Sequence, residues 1–228
     1  MRKVFLFFGA FQILYTRAQN TKLFINLGFT VAGLSSQNIE NFYEVNSIVS
    51  FNTGVLATVR INNKITLQPS LLVCGKGAKT KGGEPPYNTQ HFSATTNPYY
   101  LELPINIVFN VPIKRNHTFF IGGGFYGAIG VGGKNKIDYY SAGTGQIADK
   151  KKINFKDDGY GDIHNYAGIG FMKRGDYGLC LTSGLIFHKF LVSLDYKYGL
   201  MNIDRGTRTN SDENKNRVLS LSVGWRIL

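Results

Sequence analysis

The last stretch of the chain, residues 216–228, alternates between large apolar side chains and small or polar ones. Leu219, Leu221 and Val223 fall on one face, while Ser220 and Ser222 fall on the other. A period of two is that of a β-strand with one apolar and one polar surface. Seven more segments show the same alternation, so the sequence predicts eight strands at about 22–32, 48–61, 64–74, 98–111, 117–132, 175–187, 190–199 and 216–228.

The connections between these predicted strands are long, short, long, short, long, short and long in order along the chain. Outer-membrane barrels have an even number of antiparallel strands, short periplasmic turns and long external loops. The sequence therefore predicts an all-β fold, an eight-stranded antiparallel up-and-down transmembrane β-barrel with both chain ends on the periplasmic side. In the first short turn, Asn62 and Asn63 are expected to adopt the positive φ of a two-residue hairpin. The alternative, a soluble periplasmic ligand-binding barrel, needs polar outward faces, which these strands lack.

The start of the chain has the layout of a secretory signal peptide. Arg2 and Lys3 precede an apolar run, residues 4–14, and small residues precede Gln19. We expect residues 1–18 to be removed and residues 19–228 to form the barrel domain; the alternative is a buried N-terminal strand or helix. No other window has the run of about 18 apolar residues that a spanning helix needs. Export without a spanning helix places the predicted barrel in the outer membrane.

The net charge of +12 indicates an anionic partner, either nucleic acid or lipid phosphate. Removing the three basic residues of the signal peptide leaves 12 − 3 = +9. Export favours the lipid surface, and no nucleic-acid partner is expected. Basic residues in the predicted outer loops would meet the phosphates of lipopolysaccharide, which lysine binds as a point charge; the alternative is a merely solvated charged face. These residues are Lys76, Lys79, Lys81, Lys134, Lys136, Lys150, Lys151 and Lys152.

A second set of charges is expected inside the barrel. An eight-stranded barrel has an interior only wide enough for side chains to fill. Charges there must pair, because an unpaired buried ion costs several kcal/mol. The sequence therefore predicts a salt-bridged plug rather than an open pore, with Arg60 and Arg226 alternatively exposed to water at the rims. By alternation, the inward charged residues are Arg60, Glu102, Asp195, Lys197 and Arg226.

No motif indicates an enzyme, a cofactor or a metal. Residues 122–127 match a dinucleotide-binding spacing, but the helix and the acidic residue that the motif needs do not follow. Residues 157–162 are acidic without the ligand spacing of a calcium loop. Cys74 and Cys180 have no metal-ligand spacing and are expected to be packed residues. The histidines, which lack a fixed arrangement with Ser and a carboxylate, are His91, His117, His164 and His188.

The chain resembles the PorT-type outer-membrane β-barrel proteins of Bacteroidetes. The resemblance is carried in order by LQPSLL at 67–72, YLELP at 100–104, LDYKYGLMNI at 194–203 and the closing segment 216–226. It implies an outer-membrane location, a barrel fold and insertion by the barrel assembly machinery. It implies little about activity, since one member type is linked to protein secretion and most have no assigned role.

The most favoured function is therefore structural or interactive: a small integral barrel that presents four loops outward and docks to envelope protein partners. One alternative is a component of an envelope transport or secretion complex. A second is an outer-membrane lipid-modifying enzyme, which would need His, Ser and a carboxylate grouped on one rim.

Overall fold

The computed structural model describes residues 21–35, 44–82, 90–114, 117–141, 145–155, 171–203 and 214–228. All regular structure in these ranges is β-strand. The predicted signal peptide lies outside the described residues. The strands are β1 (Thr21–Ser35), β2 (Glu44–Arg60), β3 (Ile65–Gly75), β4 (Ala78–Gly82), β5 (Gln90–Lys114), β6 (His117–Ser141), β7 (Gly145–Lys152), β8 (Asn154–Phe155), β9 (Phe171–Met172), β10 (Gly175–Phe187), β11 (Phe190–Gly199) and β12 (Lys215–Arg226).

Eight of these strands form a closed antiparallel ring. Its order is β1, β2, β3, β5, β6, β10, β11 and β12, and each strand pairs with the next. The ring closes where β1 pairs with β12, from Phe24 opposite Arg226 to Ser35 opposite Lys215. The predicted eight-stranded up-and-down barrel is confirmed, because alternation placed every ring strand in the right segment.

The first short turn corrects the expectation of positive φ at Asn62 and Asn63. Among the described non-glycine residues, only His188 has positive φ, at 54°. The Oδ1 atom of Asn62 instead accepts hydrogen bonds from the N–H groups of Lys64 and Ile65, both at 2.8 Å. The asparagine side chain closes this turn, so the backbone does not need the left-handed conformation.

Two segments predicted as loops contain ordered strand. β4 lies within the predicted loop 75–97, and β7 lies within the predicted loop 133–174. β5 and β6 also run past their predicted outer ends, pairing from Gln90 opposite Ser141. The outward face of these parts of the sheet lies beyond the apolar belt and carries polar residues and glycine. Because no apolar residue recurs at every second position there, the periodicity that identifies a membrane strand is absent from the sequence.

A β-bulge marks the boundary between the two parts of the sheet. Tyr99 lies opposite Gly132 and Tyr100 opposite Gly130, so Val131 is an extra residue on β6. The bulge shifts the alternation of β6 by one residue. Below it Val131 is exposed, and above it Lys134 is the next large side chain on the outer face.

Large apolar side chains cover the outer surface of the ring. Leu27, Phe29 and Leu181 are 65%, 73% and 64% exposed, which is the pattern of a lipid-facing belt. Aromatic residues stand at both edges of the belt, as in other barrels. Tyr177 and Tyr198 lie at the outer edge, and Trp225 packs against Phe190 at the edge near the chain ends, with ring centroids 4.7 Å apart. The described ranges contain no helix long and apolar enough to cross a membrane.

Candidate functional site: the barrel interior and the outer lysine surface

An apolar layer closes the barrel near the end where both termini lie. Inward side chains from five of the eight ring strands meet there and are almost fully buried. Gly184 makes room for the ring of Phe120, since a Cβ at this position would lie 2.6 Å from the ring. We call this layer the apolar floor; it consists of Phe24, Leu56, Val108, Phe120 and Leu191.

A polar layer lies above the apolar floor. It surrounds a cavity of about 20 Å³, which is room for about one water molecule. Within the described chain, several lining atoms have no hydrogen-bond partner, among them Asn26 Oδ1, Gln68 Nε2, Asn106 Oδ1 and Ser220 Oγ. The cavity is far smaller than the channel of a porin.

Four buried charges form the next layer. Glu102 pairs through Oε1 with Lys197 and through Oε2 with Lys76, at 2.5 Å from its Nζ. Lys76 also lies 2.9 Å from Asp176 Oδ2. Two cations therefore alternate with two anions, and the cluster is neutral. We call Lys76, Glu102, Asp176 and Lys197 the interior ion network.

Neutral groups complete the interior ion network. Asp176 Oδ2 accepts hydrogen bonds from Tyr126 OH at 3.2 Å and from Asn216 Nδ2 at 2.9 Å. The Nζ of Lys76 lies 4.2 Å from the ring centroid of Tyr126 and 5.2 Å from that of Tyr100, within cation–π range. These contacts replace the hydration that Lys76 loses on burial.

The position of Lys76 corrects the sequence prediction, which placed this residue on the outer surface. Its side chain is fully buried. The chain breaks its pairing between β3 and β4, and Lys76 N–H donates to the carbonyl of Pro98 at 2.9 Å. Gly75 and Gly77 flank it where a Cβ would collide with Ser50 and with the backbone of Thr96. The two glycines let the backbone turn inward. The ion pairs with Glu102 and Asp176 offset the desolvation cost of burying the lysine.

An apolar layer also covers the interior ion network from outside. The ring of Phe155 packs edge-on against Tyr100, with centroids 5.7 Å apart. β8 and β9 pair there in parallel, and Lys173 N–H donates to the carbonyl of Ile203 at 2.9 Å. We call this layer the apolar lid; it consists of Leu34, Ile153, Phe155, Met172 and Ile203.

The structure separates the five predicted interior charges. Glu102 and Lys197 lie together in the interior ion network. Asp195 is half-buried and accepts a hydrogen bond from Ser193 at 2.9 Å. Arg226 is half-buried and Arg60 is exposed, both at the rim where the termini lie.

Sequence reasoning missed Lys76 and Asp176. For Asp176 a signal existed, since Tyr177 and Leu179 point outward and alternation then turns Asp176 inward. For Lys76 there was no such signal, because a polar, glycine-rich segment has no apolar alternation from which an inward or outward orientation can be assigned.

A surface rich in lysine lies directly above the apolar belt. On the β6–β7 hairpin, Lys134 lies opposite Lys152 and Lys136 lies opposite Lys150. All four are exposed, and we call them the outer lysine surface. Lys136 also pairs with Asp138 at 3.2 Å. The backbone of Lys151 lies in β7, while its side chain is outside what the structure describes.

Lys79 and Lys81 lie on β4, on the same side of the barrel. The Nζ of Lys81 is 2.9 Å from Oε2 of Glu44. The hydrogen bond from Asn46 and the pairing with Lys81 lower the pKa of the Glu44 carboxyl. This exposed carboxylate therefore stays ionised, and it offsets part of the local positive charge.

The remaining candidates do not assemble into a catalytic or metal site. His117 and His188 stack edge to face at the short turns, with centroids 5.7 Å apart. Cys74 and Cys180 are free and buried. Within the described residues, no group of three or more His, Cys, Asp or Glu could hold a metal ion. The glycine-rich residues 122–127 lie inside β6. Residues 157–162, His164 and the side chain of His91 lie outside the described part of the chain.

Comparisons with known proteins give a family. The model of the family described as outer membrane protein beta-barrel domain matches residues 17–205. No curated protein matches the chain in sequence.

Among solved structures, the attachment invasion locus protein Ail of Yersinia pestis is 14% identical, with a TM-score of 0.38 over 91% of this chain and 99% of Ail. Neisserial surface protein A is 12% identical, with a TM-score of 0.37 over 89% of this chain and 96% of that one. OprG of Pseudomonas aeruginosa is 11% identical, with a TM-score of 0.36 over 91% and 96%. Likeness this distant says nothing about activity.

Proposed function

Since this chain belongs to the outer membrane protein beta-barrel domain family, whose members lie in the outer membrane, we propose that it is a non-conducting barrel with a structural and interactive role. One observation carries the proposal: two apolar layers and a layer of paired charges lie in series along the barrel axis. An ion would have to displace the apolar floor, break the interior ion network and open the apolar lid. Each step removes buried contacts without replacing them.

Conductance across planar lipid bilayers tests this closure. We expect the purified, refolded protein to insert without producing current steps. Insertion is verified separately by recovering the protein from the bilayer lipid as a species that migrates differently on a detergent gel before and after boiling. Steady single-channel currents from the inserted wild-type barrel would overturn the non-conducting role.

The interactive part of the proposal concerns lipopolysaccharide. The outer lysine surface places like charges directly opposite each other across two strands, an arrangement that destabilises a hairpin unless anions lie nearby. The surface begins just beyond Val131, which is the last exposed apolar residue among the described side chains of β6, at the height where lipid phosphates lie. Each lysine near an anionic lipid surface contributes about 1 kcal/mol to binding. The four lysines of the outer lysine surface are therefore proposed to contact lipid phosphates; the side chain of Lys151, the fifth predicted residue, lies outside the described part of the chain.

Binding to lipopolysaccharide and to its dephosphorylated form, measured in nanodiscs at several salt concentrations, tests this contact. We expect the variant carrying K134Q, K136Q, K150Q and K152Q to lose most of the phosphate-dependent binding. The matched control removes four lysines at the opposite end through K22Q, K64Q, K114Q and K189Q. Equal losses in both variants would reduce the effect to net charge and overturn the assignment.

The proposal gives the chain no catalytic activity and no cofactor. The described histidines, His117 and His188, lie at the short turns, and the sequence around those turns contains no Asp or Glu to complete a triad. Within the family, the motifs at 67–72, 100–104 and 194–203 support assignment to the PorT-type barrels of Bacteroidetes, with insertion by the barrel assembly machinery. A role inside an envelope transport or secretion complex gains support only from the basic residues at the end of the barrel where both termini lie.

A further inference from the structure

Charge is distributed unequally between the two ends of the barrel. The sequence contains 14 Asp and Glu residues, and none of them falls in the described segments that form the end with the termini and short turns, residues 21–28, 57–68, 108–114, 117–120, 184–192 and 224–228. The same segments carry many basic residues. They are Lys22, Arg60, Lys64, Lys114, Lys189 and Arg226.

Three of these cations lie on neighbouring strands. Lys22 is on β1, Arg60 on β2 and Arg226 on β12, and β1 pairs with both of the other strands. The charges of Arg226 and Arg60 both act on Lys22, which is half-buried. No ion pair involves any of the three in the described chain, and the sequence offers no Asp or Glu nearby. We call Lys22, Arg60 and Arg226 the periplasmic rim.

The periplasmic rim faces the barrel axis and not the lipid. Each member lies two residues from a buried inward neighbour on its own strand, and therefore on the same face: Lys22 from Phe24, Arg60 from Thr58 and Arg226 from Gly224. The lipid-facing positions beside them are apolar. Ile61, Trp225 and Ile227 are 48%, 50% and 51% exposed. Lipid headgroups around the barrel therefore meet the apolar and aromatic positions, while the cations surround the mouth.

The opening that these cations surround is a shallow depression in the end of the barrel. The apolar floor, with Phe24 and Leu56, lies directly behind them and prevents entry into the barrel. An anion that reaches the cations must therefore come from the periplasm and stay at the surface. Like charges held together raise the free energy of the rim, and an anionic partner relieves that repulsion.

We propose that the periplasmic rim is a docking surface for an acidic, extended polypeptide segment in the periplasm. Phe24 lies opposite Arg226 and Lys22 lies opposite Thr58, so each of the three cations is displaced by one strand and two residues from the next. This displacement is about 8 Å, and alternate residues of an extended peptide are about 7 Å apart, so successive carboxylates on one side of such a peptide match the rim. Two of the three cations are arginines, whose planar guanidinium binds a carboxylate through two parallel hydrogen bonds. The inference rests on the proposed interactive role but uses the opposite end of the barrel, so loss of lipopolysaccharide binding would leave it standing.

Fluorescence anisotropy with an oligoglutamate peptide tests the proposal on the barrel in zwitterionic nanodiscs. We expect binding that weakens as salt is raised. The rim variant K22Q/R60Q/R226Q should lose at least tenfold in affinity, while the matched variant K134Q/K136Q/K150Q keeps wild-type affinity. Equal affinity in the two variants, or no binding by the wild type, would overturn the proposal.

Amine footprinting of the wild-type protein gives a second measurement that does not depend on the folding of a variant. Oligoglutamate should protect Lys22 from acetylation and leave Lys134 unprotected; the opposite pattern would contradict the proposal. Vesicles of anionic phospholipid provide the lipid arm. If they protect Lys22 and compete fully with the peptide for it, the rim binds headgroups, and the polypeptide partner is wrong.

Discussion

Lys76 and Asp176, 100 residues apart in sequence, form an ion pair of 2.9 Å in which neither side chain reaches solvent. Lys76 comes from the break between β3 and β4, and Asp176 from the start of β10, which is separated from β3 in the ring by β5 and β6. The pair therefore ties together parts of the wall that share no backbone hydrogen bonds.

Replacement of Glu102 should destabilise the barrel strongly. Glu102→Gln leaves Lys197 and Lys76 without the anion that both contact, and breaking a buried pair by removing one partner costs about 3–5 kcal/mol. Urea unfolding of the barrel in lipid vesicles measures the change. The matched control, Glu44→Gln, breaks the exposed pair with Lys81 and should leave the free energy of unfolding unchanged. A similar loss in both variants would show that the interior ion network contributes no more to the free energy of unfolding than an exposed ion pair does.

The pairing energy can be separated from the cost of burial. Combining Glu102→Gln with Lys197→Met removes both ends of one pair, so the double variant should lose clearly less stability than the two single variants added together. Additive losses would mean that Lys197 is stabilised by groups other than Glu102.

Gly130 should be needed for closure of the apolar lid. A Cβ at Gly130 would lie 2.4 Å from the ring of Phe155, whereas Gly127 has no neighbouring atom within 4 Å. We expect Gly130→Ala to cost about 1–3 kcal/mol, as overpacking does, and Gly127→Ala to have little effect. The cost of Gly130→Ala should vanish in a Phe155→Ala background. Persistence of the cost there would place the clash elsewhere.

A charge in the middle of the apolar belt should be costly. Leu181 is 64% exposed on β10, and Leu181→Arg should destabilise the barrel by about 2–4 kcal/mol, as arginine does near the bilayer midplane. Ser93→Arg, on the part of β5 above the bulge and opposite one anion and one cation, Asp138 and Lys81, is the control and should be almost neutral. If both substitutions behaved alike in vesicle unfolding, the boundary between belt and outer sheet at Val131 would be wrong.

The two cysteines should report on the seals of the interior. Cys74 and Cys180 are buried, so neither should react with a maleimide until the barrel unfolds. Cys74 belongs to the buried cluster against which Phe155 packs, so a Phe155→Ala variant should label faster at Cys74 than at Cys180. Mass spectrometry of the labelled peptides distinguishes the two sites. Rapid labelling of folded wild-type protein would contradict the closed interior.

The sequence was sufficient for the ring because the membrane imposes a period of two on each strand separately. The lipid-facing orientation of Leu219 and Leu221 follows from the local alternation of their own strand, without information about distant residues. The interior ion network is different, since Lys76 is buried only because Glu102 and Asp176 arrive from other strands. Residues at strand ends can be predicted only in part. Alternation predicts that Arg60 and Arg226 face inward, but it does not predict whether they lie in the closed interior or at the exposed rim.

The four charges of the interior ion network have a consequence for biogenesis. Lys76 and Glu102 both precede β6, and Asp176 and Lys197 both follow it. Each half of the chain thus brings one cation and one anion, and the first pair is complete before the second half is synthesised. Each half is therefore neutral in its contribution to the interior, and the contacts of Lys76 with Asp176 and of Glu102 with Lys197 join the two halves into a neutral quartet.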